Sequence, residues 1–244
     1  MMMRRNLQAW LGITFALLLL VTANFDRPAT ASARSTAKSL TATVGGDLSG
    51  NYKITSSSNP EGGSYSGAVR ISALGDAYRI AWATGAGESY EGVGIQMGDV
   101  LAVGWGTGRG KHGVVAYRIN GGTLAGRWTL SDMRGAMGTE DLAGAPELRG
   151  SYRIVRSSVP GGKGYAGAVT ITPNGDTYTV TWRLASGESY NGVGVRAGDL
   201  LVVGWGINQD SVGVVSYRQQ GSALHGIWAI PGGRRLGTEV LTRH

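Results

Sequence analysis

The stretch DVLAVGWG, residues 99–106, returns almost unchanged as DLLVVGWG at residues 199–206. In both copies large apolar residues recur at every second position up to the tryptophan, which is typical of a strand that turns one face to a core. The same offset of one hundred residues relates LSGNYKI at 48–54 to LRGSYRI at 148–154. A repeat of this length that runs along most of the chain predicts two homologous domains in tandem.

The repeat places a first β domain at 48–142 and a second at 148–244. Only a few residues join them, so the two domains are expected to touch. A cleft between touching domains is a natural place for a ligand or a partner.

Residues 1–33 are predicted to be a signal peptide, because two arginines precede an apolar run and small residues follow it. The run is shorter than the roughly 20 apolar residues that a spanning helix needs, which favours cleavage over a stable membrane span. We therefore expect export, to the periplasm or out of the cell. Residues 34–47 are small, polar and poorly periodic, and are predicted to form a flexible leader.

Each copy divides into short segments of alternating apolar and polar residues, separated by Gly, Asn, Asp or Ser. In the first copy the predicted strands lie near 51–55, 65–71, 77–82, 89–95, 100–105, 113–119, 124–130 and 137–142, and the second copy predicts the same eight. The predicted fold is all-β, with an antiparallel up-and-down, calycin-like barrel for each copy, since closure leaves no exposed edge. A two-sheet β-sandwich stays as the alternative. Eight strands would leave room inside for side chains or one small ligand.

The composition argues against several classes of chemistry. The chain has no cysteine, so disulfides and thiol catalysis are excluded. Its formal charge is +7, but Lys and Arg are scattered rather than clustered, so no nucleic-acid partner is expected. None of the three histidines is repeated in both copies. We therefore predict no catalytic residues, no metal ligands and no cofactor, and an enzyme is disfavoured.

Aromatic residues, in contrast, are kept in both copies. All ten tyrosines and the six tryptophans that follow the signal segment form pairs at equivalent positions. Trp105 and Trp205 could stack on a ligand inside a barrel, although a role in the core is the favoured interpretation. The candidate ligand-binding residues are Trp105, Trp205, Tyr90, Tyr190, Glu88, Glu188, Arg118 and Arg218.

The charged candidates also have structural interpretations. Glu88 and Glu188 precede a strand and could cap a turn instead of binding a ligand. Arg118 and Arg218 share their late strands with the retained pair Glu140 and Glu239. These four side chains could form ion pairs at a barrel mouth or belong to a solvated face.

The duplicated motifs resemble a family of small exported bacterial proteins labelled fibronectin-binding protein. The matching elements are Gly50 with Tyr52, Tyr65 with Gly67, Trp82, the run 113–117, Leu124 with Gly126 and Trp128, and 138–140, and all recur in the second copy. The resemblance implies that the ligand is fibronectin or a similar molecule. The early Gly-x-aromatic strand and the strand count are also similar to avidin-like and lipocalin-like barrels.

Three functions are consistent with these observations. The leading hypothesis is an exported, non-enzymatic binding protein for an extracellular-matrix or cell-surface macromolecule. The second is a carrier of a small apolar ligand, held within or between the barrels. The third is a hydrolase of envelope polysaccharide, which would require two carboxylates in one cleft.

Overall fold

The computed structural model describes residues 46–107, 110–144, 146–207 and 212–244. The predicted signal peptide at 1–33 and the leader up to residue 45 lie outside the described residues. Within the described ranges the chain is all-β, and no helix is long and apolar enough to cross a membrane. The strands close into two antiparallel barrels of eight, so the barrel prediction is confirmed and the β-sandwich alternative is wrong.

Sixteen strands are found in the described ranges, eight in each repeat. Those of the first repeat are β1 Gly50–Ser58, β2 Gly67–Leu74, β3 Ala77–Thr84, β4 Ser89–Met97, β5 Val100–Gly106, β6 Lys111–Asn120, β7 Thr123–Leu130 and β8 Gly138–Gly144. Those of the second are β9 Gly150–Ser158, β10 Gly167–Asn174, β11 Thr177–Leu184, β12 Ser189–Ala197, β13 Leu200–Ile207, β14 Val212–Gln220, β15 Ala223–Ala229 and β16 Gly237–Arg243. Tight turns separate most of them. Gly75, Gly121 and Gly175 supply the positive φ that such turns require.

The barrels do not coincide with the sequence repeats. The first barrel has the strand order β1-β16-β15-β14-β5-β4-β3-β2, and the second has the order β10-β11-β12-β13-β6-β7-β8-β9. Each barrel thus takes five strands from one repeat and three from the other. The second barrel consists of consecutive strands, β6 to β13, whereas the first joins the two ends of the described chain.

Strand exchange takes place after β5 and after β13. β5 pairs with β14, where Leu101 lies opposite Tyr217, and β13 pairs with β6, where Leu201 lies opposite Tyr117. The two pairings are equivalent, since β6 and β14 are copies of one sequence. A repeat pattern cannot distinguish a barrel closed within one copy from a barrel closed by exchange.

The outer walls of the two barrels share an apolar core. It comprises Ala77, Val93, Ile95, Val100, Ala102, Val114, Ala116, Val193, Val195, Leu200, Val202, Val214 and Ala229. Where β5 passes β6 of the other barrel, a Cβ added to Gly104 would lie 1.9 Å from the carbonyl oxygen of Gly113. Gly204 approaches the Gly213 carbonyl oxygen in the same way, at 2.2 Å. The glycine before each repeated tryptophan is therefore required where the barrels meet.

The interior of each barrel is filled at one end. In the first barrel, Leu48, Tyr52, Ile80 and Leu241 pack there, each no more than 2% exposed. The Tyr52 hydroxyl donates a hydrogen bond to the Leu48 carbonyl, 2.8 Å away. Equivalent side chains fill the same end of the second barrel. Any space for a ligand is thereby confined to the opposite end.

Candidate ligand-binding cavities

Each barrel contains a cavity at its open end. The first cavity has a volume of about 370 Å³ and is lined by Asn59, Ser64, Tyr65, Trp82, Thr84, Ala86, Glu88, Tyr90, Trp105, Val215, Trp228 and Glu239. The second has a volume of about 270 Å³ and is lined by Val115, Trp128, Val159, Tyr165, Trp182, Leu184, Ser186, Glu188, Tyr190 and Trp205. Most lining residues of one cavity have an equivalent in the other. The duplication thus gives two related concave sites, the first within and the second slightly below the range of about 300–1,000 Å³ that is usual for small-molecule pockets.

Strand exchange brings both repeats into each cavity. In the first cavity, β3, β4 and β5 supply Trp82, Tyr90 and Trp105 from the first repeat. Strands β15 and β16 supply Trp228 and Glu239 from the second repeat. Neither repeat alone therefore carries all the lining residues of one barrel.

The aromatic rings of the first cavity meet at steep angles and form adjoining walls. Tyr90 and Trp105 have ring centroids 5.2 Å apart and an interplanar angle of 73°. Tyr65 and Trp228 are 6.3 Å apart at 69°. Edge-to-face pairs of this kind hold each other in place. The four side chains pack on the core but are only partly buried.

Trp205 lies in a tighter aromatic cluster than Trp105 does. Its ring centroid lies 6.2 Å from Trp128, 6.5 Å from Trp182 and 5.5 Å from Tyr190. In the first cavity, Trp105 has one such neighbour among the described aromatic rings, Tyr90. The barrel with the tighter cluster is also the one with the smaller cavity.

In each barrel, a glycine on the neighbouring strand makes room for one tryptophan of the cavity wall. A Cβ added to Gly237 would lie 2.1 Å from the Trp228 ring, and one added to Gly138 would lie 2.3 Å from the Trp128 ring. Each indole thus lies against bare backbone on the neighbouring strand. The missing side chain at these positions leaves room for the ring.

We call the buried glutamate of each barrel the floor: Glu239 lines the first cavity, and its equivalent Glu140 is hydrogen-bonded to Trp182, which lines the second. Glu239 is 4% exposed and accepts hydrogen bonds from Tyr65 Oη at 3.0 Å, from Trp82 Nε1 at 3.3 Å and from Tyr217 Oη. Glu140, 2% exposed, accepts from Trp182 Nε1 at 3.0 Å and from Tyr117 Oη. These donors satisfy carboxylates that the aromatic surroundings would otherwise destabilise.

Burial shifts the pKa of the two floor glutamates and of the tyrosines bonded to them. It raises the pKa of Glu239 and of Glu140, and the hydrogen bonds from tyrosine and tryptophan oppose that effect. Burial and the adjacent carboxylate raise the pKa of Tyr217 and Tyr117 well above the usual value. The tyrosine hydroxyls therefore stay protonated and act as donors.

A second carboxylate lies at the rim of each cavity. Glu88 accepts a hydrogen bond from Tyr90 Oη at 2.7 Å, and this bond, with burial, raises the pKa of Tyr90 to about 12. Glu188 accepts instead from Ser186 Oγ, and this bond lowers the pKa of the Glu188 carboxyl. The two rims differ in partner although the glutamate is the same.

The rims also differ in polarity. Thr84 of the first cavity corresponds to Leu184 of the second, and Asn59 corresponds to Val159. The first cavity is therefore the larger and has the more polar entrance. The floor, in contrast, is built from the same residue types in both barrels.

Six of the eight predicted ligand-binding residues line the cavities: Trp105, Tyr90 and Glu88 in the first, and Trp205, Tyr190 and Glu188 in the second. The remaining two lie elsewhere. Arg118 forms an exposed ion pair with Asp199, and Arg218 forms one with Asp99 at 2.5 Å. The suggested pairing of these arginines with Glu140 and Glu239 is wrong, because those glutamates point into the barrel interior.

The sequence interpretation missed the floor. The sequence pattern suggests Glu140 and Glu239 only as partners of the arginines or as part of a solvated face, and it identifies Trp82 and Tyr65 only as elements of the repeated motif. Their retention in both copies was a usable signal, since a carboxylate repeated on an apolar strand needs buried partners. In the described ranges, no group of three or more acidic or histidine side chains is placed to hold a metal ion.

Comparison with known proteins gives no relative from which a function could be transferred. No family model, no curated protein and no solved structure matches this chain.

Proposed function

We propose that the protein is a small-molecule binding protein with one site in each barrel. The observation that carries this proposal is the pair of open cavities with retained aromatic walls and a retained buried glutamate. Side chains that only fill a core would leave no such space, and each cavity could enclose most of a small ligand. Export, expected from the first 33 residues, would make the ligand one met outside the cytoplasm.

Tryptophan fluorescence tests the proposal directly. The chain from residue 34 to 244, the mature form expected after signal cleavage, would be titrated with a panel of small apolar and aromatic compounds. We expect a saturable change for at least one compound, because Trp105 and Trp205 lie in the cavities. Trp105→Ala combined with Trp205→Ala should weaken that binding at least about tenfold.

The matched control is Arg118→Ala with Arg218→Ala, at the outward-facing candidates. These exposed ion pairs are separate from the cavities, so the control variant should bind like the parent protein. Two results would contradict a site in the cavities. One is the absence of any fluorescence change in the parent protein across the panel, and the other is equal binding by the tryptophan variant.

Binding of an extracellular macromolecule, implied by the family resemblance, stays a prediction. Fibronectin is therefore included in the same fluorescence titration.

Hydrolysis of envelope polysaccharide also stays a prediction. Its supporting observation is that Glu88 and Glu239 line one cavity. An observed hydrolytic activity should then be abolished by Glu88→Gln.

A further inference from the structure

The charges that face the cavities are of one sign. Among the described residues that line the first cavity, the ionisable acids are Glu88 and Glu239, and no Lys, Arg or His is present. The second cavity has Glu188 at its rim and Glu140 beneath Trp182. A chain with a net charge of +7 has thus placed only acidic groups around its two internal sites.

The acidic groups are combined with aromatic walls. Trp82, Trp105, Trp228, Tyr65 and Tyr90 surround the first cavity, and their equivalents surround the second. Tryptophan and tyrosine faces attract cations through the ring quadrupole, and most strongly where water is excluded. Rings at steep angles to one another offer such faces from several directions.

The floor carboxylates, like the aromatic walls, favour a cationic ligand. Their hydrogen-bond donors are neutral hydroxyl and indole groups, so no cationic side chain neutralises either glutamate in these hydrogen bonds. A charge in surroundings of low dielectric interacts more strongly than the same charge in water. An anionic ligand would be repelled there, and a cationic one attracted.

From this combination we propose that each cavity binds an organic cation, with a quaternary or protonated amine head group seated among the aromatic rings above the buried glutamate. This inference rests on the proposed small-ligand function and names its ligand class. Because the floor is the same in both barrels and the rims differ, the two sites share the head group and differ in the substituents they accept.

Choline and 3,3-dimethylbutan-1-ol provide a matched pair of probes, since they have nearly the same shape and only choline carries a charge. Each would be titrated into the mature chain by calorimetry and tryptophan fluorescence. We expect choline to bind at least about tenfold more tightly than its neutral isostere, as a desolvated cation–π contact implies. Glu239→Gln with Glu140→Gln should remove most of that preference.

The variants need a check on folding, because the glutamates are buried. Circular dichroism and thermal unfolding of each variant provide this check. A second variant, Glu88→Gln with Glu188→Gln, tests the effect of negative charge at the rims, where the side chains are not part of the buried floor. The comparison of the two probes on the parent protein requires no substitution.

The outcomes separate this inference from the proposal beneath it. Tighter binding of choline supports the cation site. Equal or tighter binding of the alcohol, or binding of neutral apolar compounds without choline, overturns the cation site and leaves small-ligand binding standing. If neither probe nor any compound of the wider panel binds, both proposals fail.

Discussion

Glu140 and Glu239 impose a cost on folding that depends on pH. Each is desolvated inside a barrel, and burial raises its pKa in the folded protein above the ordinary value of 4.5. The folded state therefore binds the proton more tightly than the unfolded chain does. The stability contributed by this protonation is present below pH 4.5 and is lost as the pH rises through the raised pKa.

Glu140→Gln with Glu239→Gln should remove this dependence. Relative to the variant, the parent protein is expected to lose stability as the pH rises above 4.5 and through the raised pKa, because only the parent must bury two charges. Urea unfolding of both proteins at several pH values measures the difference in free energy. A difference that stays constant over this range would contradict the assignment to these glutamates.

Gly104 has a different constraint, which is steric. The added Cβ of Gly104→Ala would meet the Gly113 backbone of the other barrel at 1.9 Å, a contact that no side-chain rotation relieves. We expect the free energy of unfolding to fall by about 3 kcal/mol, at the upper end of overpacking effects. Urea unfolding measures the change. Gly46→Ala is the control, since nothing lies within 4 Å of its added Cβ, and equal stability of the two variants would contradict the steric argument.

Single strands were predictable from local pattern. The segment 77–82 was expected to be a strand because apolar residues alternate there, and β3 covers Ala77–Thr84. The choice of partner strand was not predictable. Arg118 illustrates the difficulty, since its partner Asp199 comes from the other repeat and is brought near only by strand exchange. Glu239 likewise meets Tyr65 and Trp82 across more than 150 residues of sequence.

Strand order predicts that residues 111–207 fold without the rest of the chain. This fragment holds β6 to β13, which are all eight strands of the second barrel. Its outer wall would expose apolar residues that normally pack on the first barrel, among them Val114, Val195 and Val202. We expect a β-rich fragment that associates into dimers through this wall, as an exposed apolar patch favours.

Circular dichroism measures the β-structure of the 111–207 fragment, and analytical ultracentrifugation measures whether it forms dimers. The control is residues 48–142, one sequence repeat, which contains strands of both barrels and no complete set. That control should fold only by pairing with a second copy. An unfolded 111–207 fragment, or a 48–142 fragment that is a folded monomer, would contradict the exchanged topology.

The two barrels enclose related but unequal cavities. The first cavity is larger, with Thr84 and Asn59 at its entrance, where the second has Leu184 and Val159. A ligand with a polar substituent should therefore prefer the first barrel, and one with an apolar substituent the second.

Calorimetry should accordingly show two binding events per chain with different affinities. Thr84→Leu with Asn59→Val makes the rim of the first cavity like that of the second, and is expected to bring the two affinities to within about threefold of each other. Trp105→Ala should remove one event and leave the other. A single class of sites in the parent protein, or the loss of both events in Trp105→Ala, would contradict independent and unequal cavities.

The pairing of β1 with β16 sets an order in which the two barrels can form during synthesis. Tyr52 lies opposite Arg243, so the first barrel cannot close until β16 has been synthesised. The second barrel needs no residue beyond β13 and can form while the remainder is still being delivered. A prematurely ended chain would carry one finished barrel and one open sheet with unpaired edges, a form that proteases can recognise and remove. The exchanged topology thus makes the first cavity depend on both the first and the last strand of the described chain.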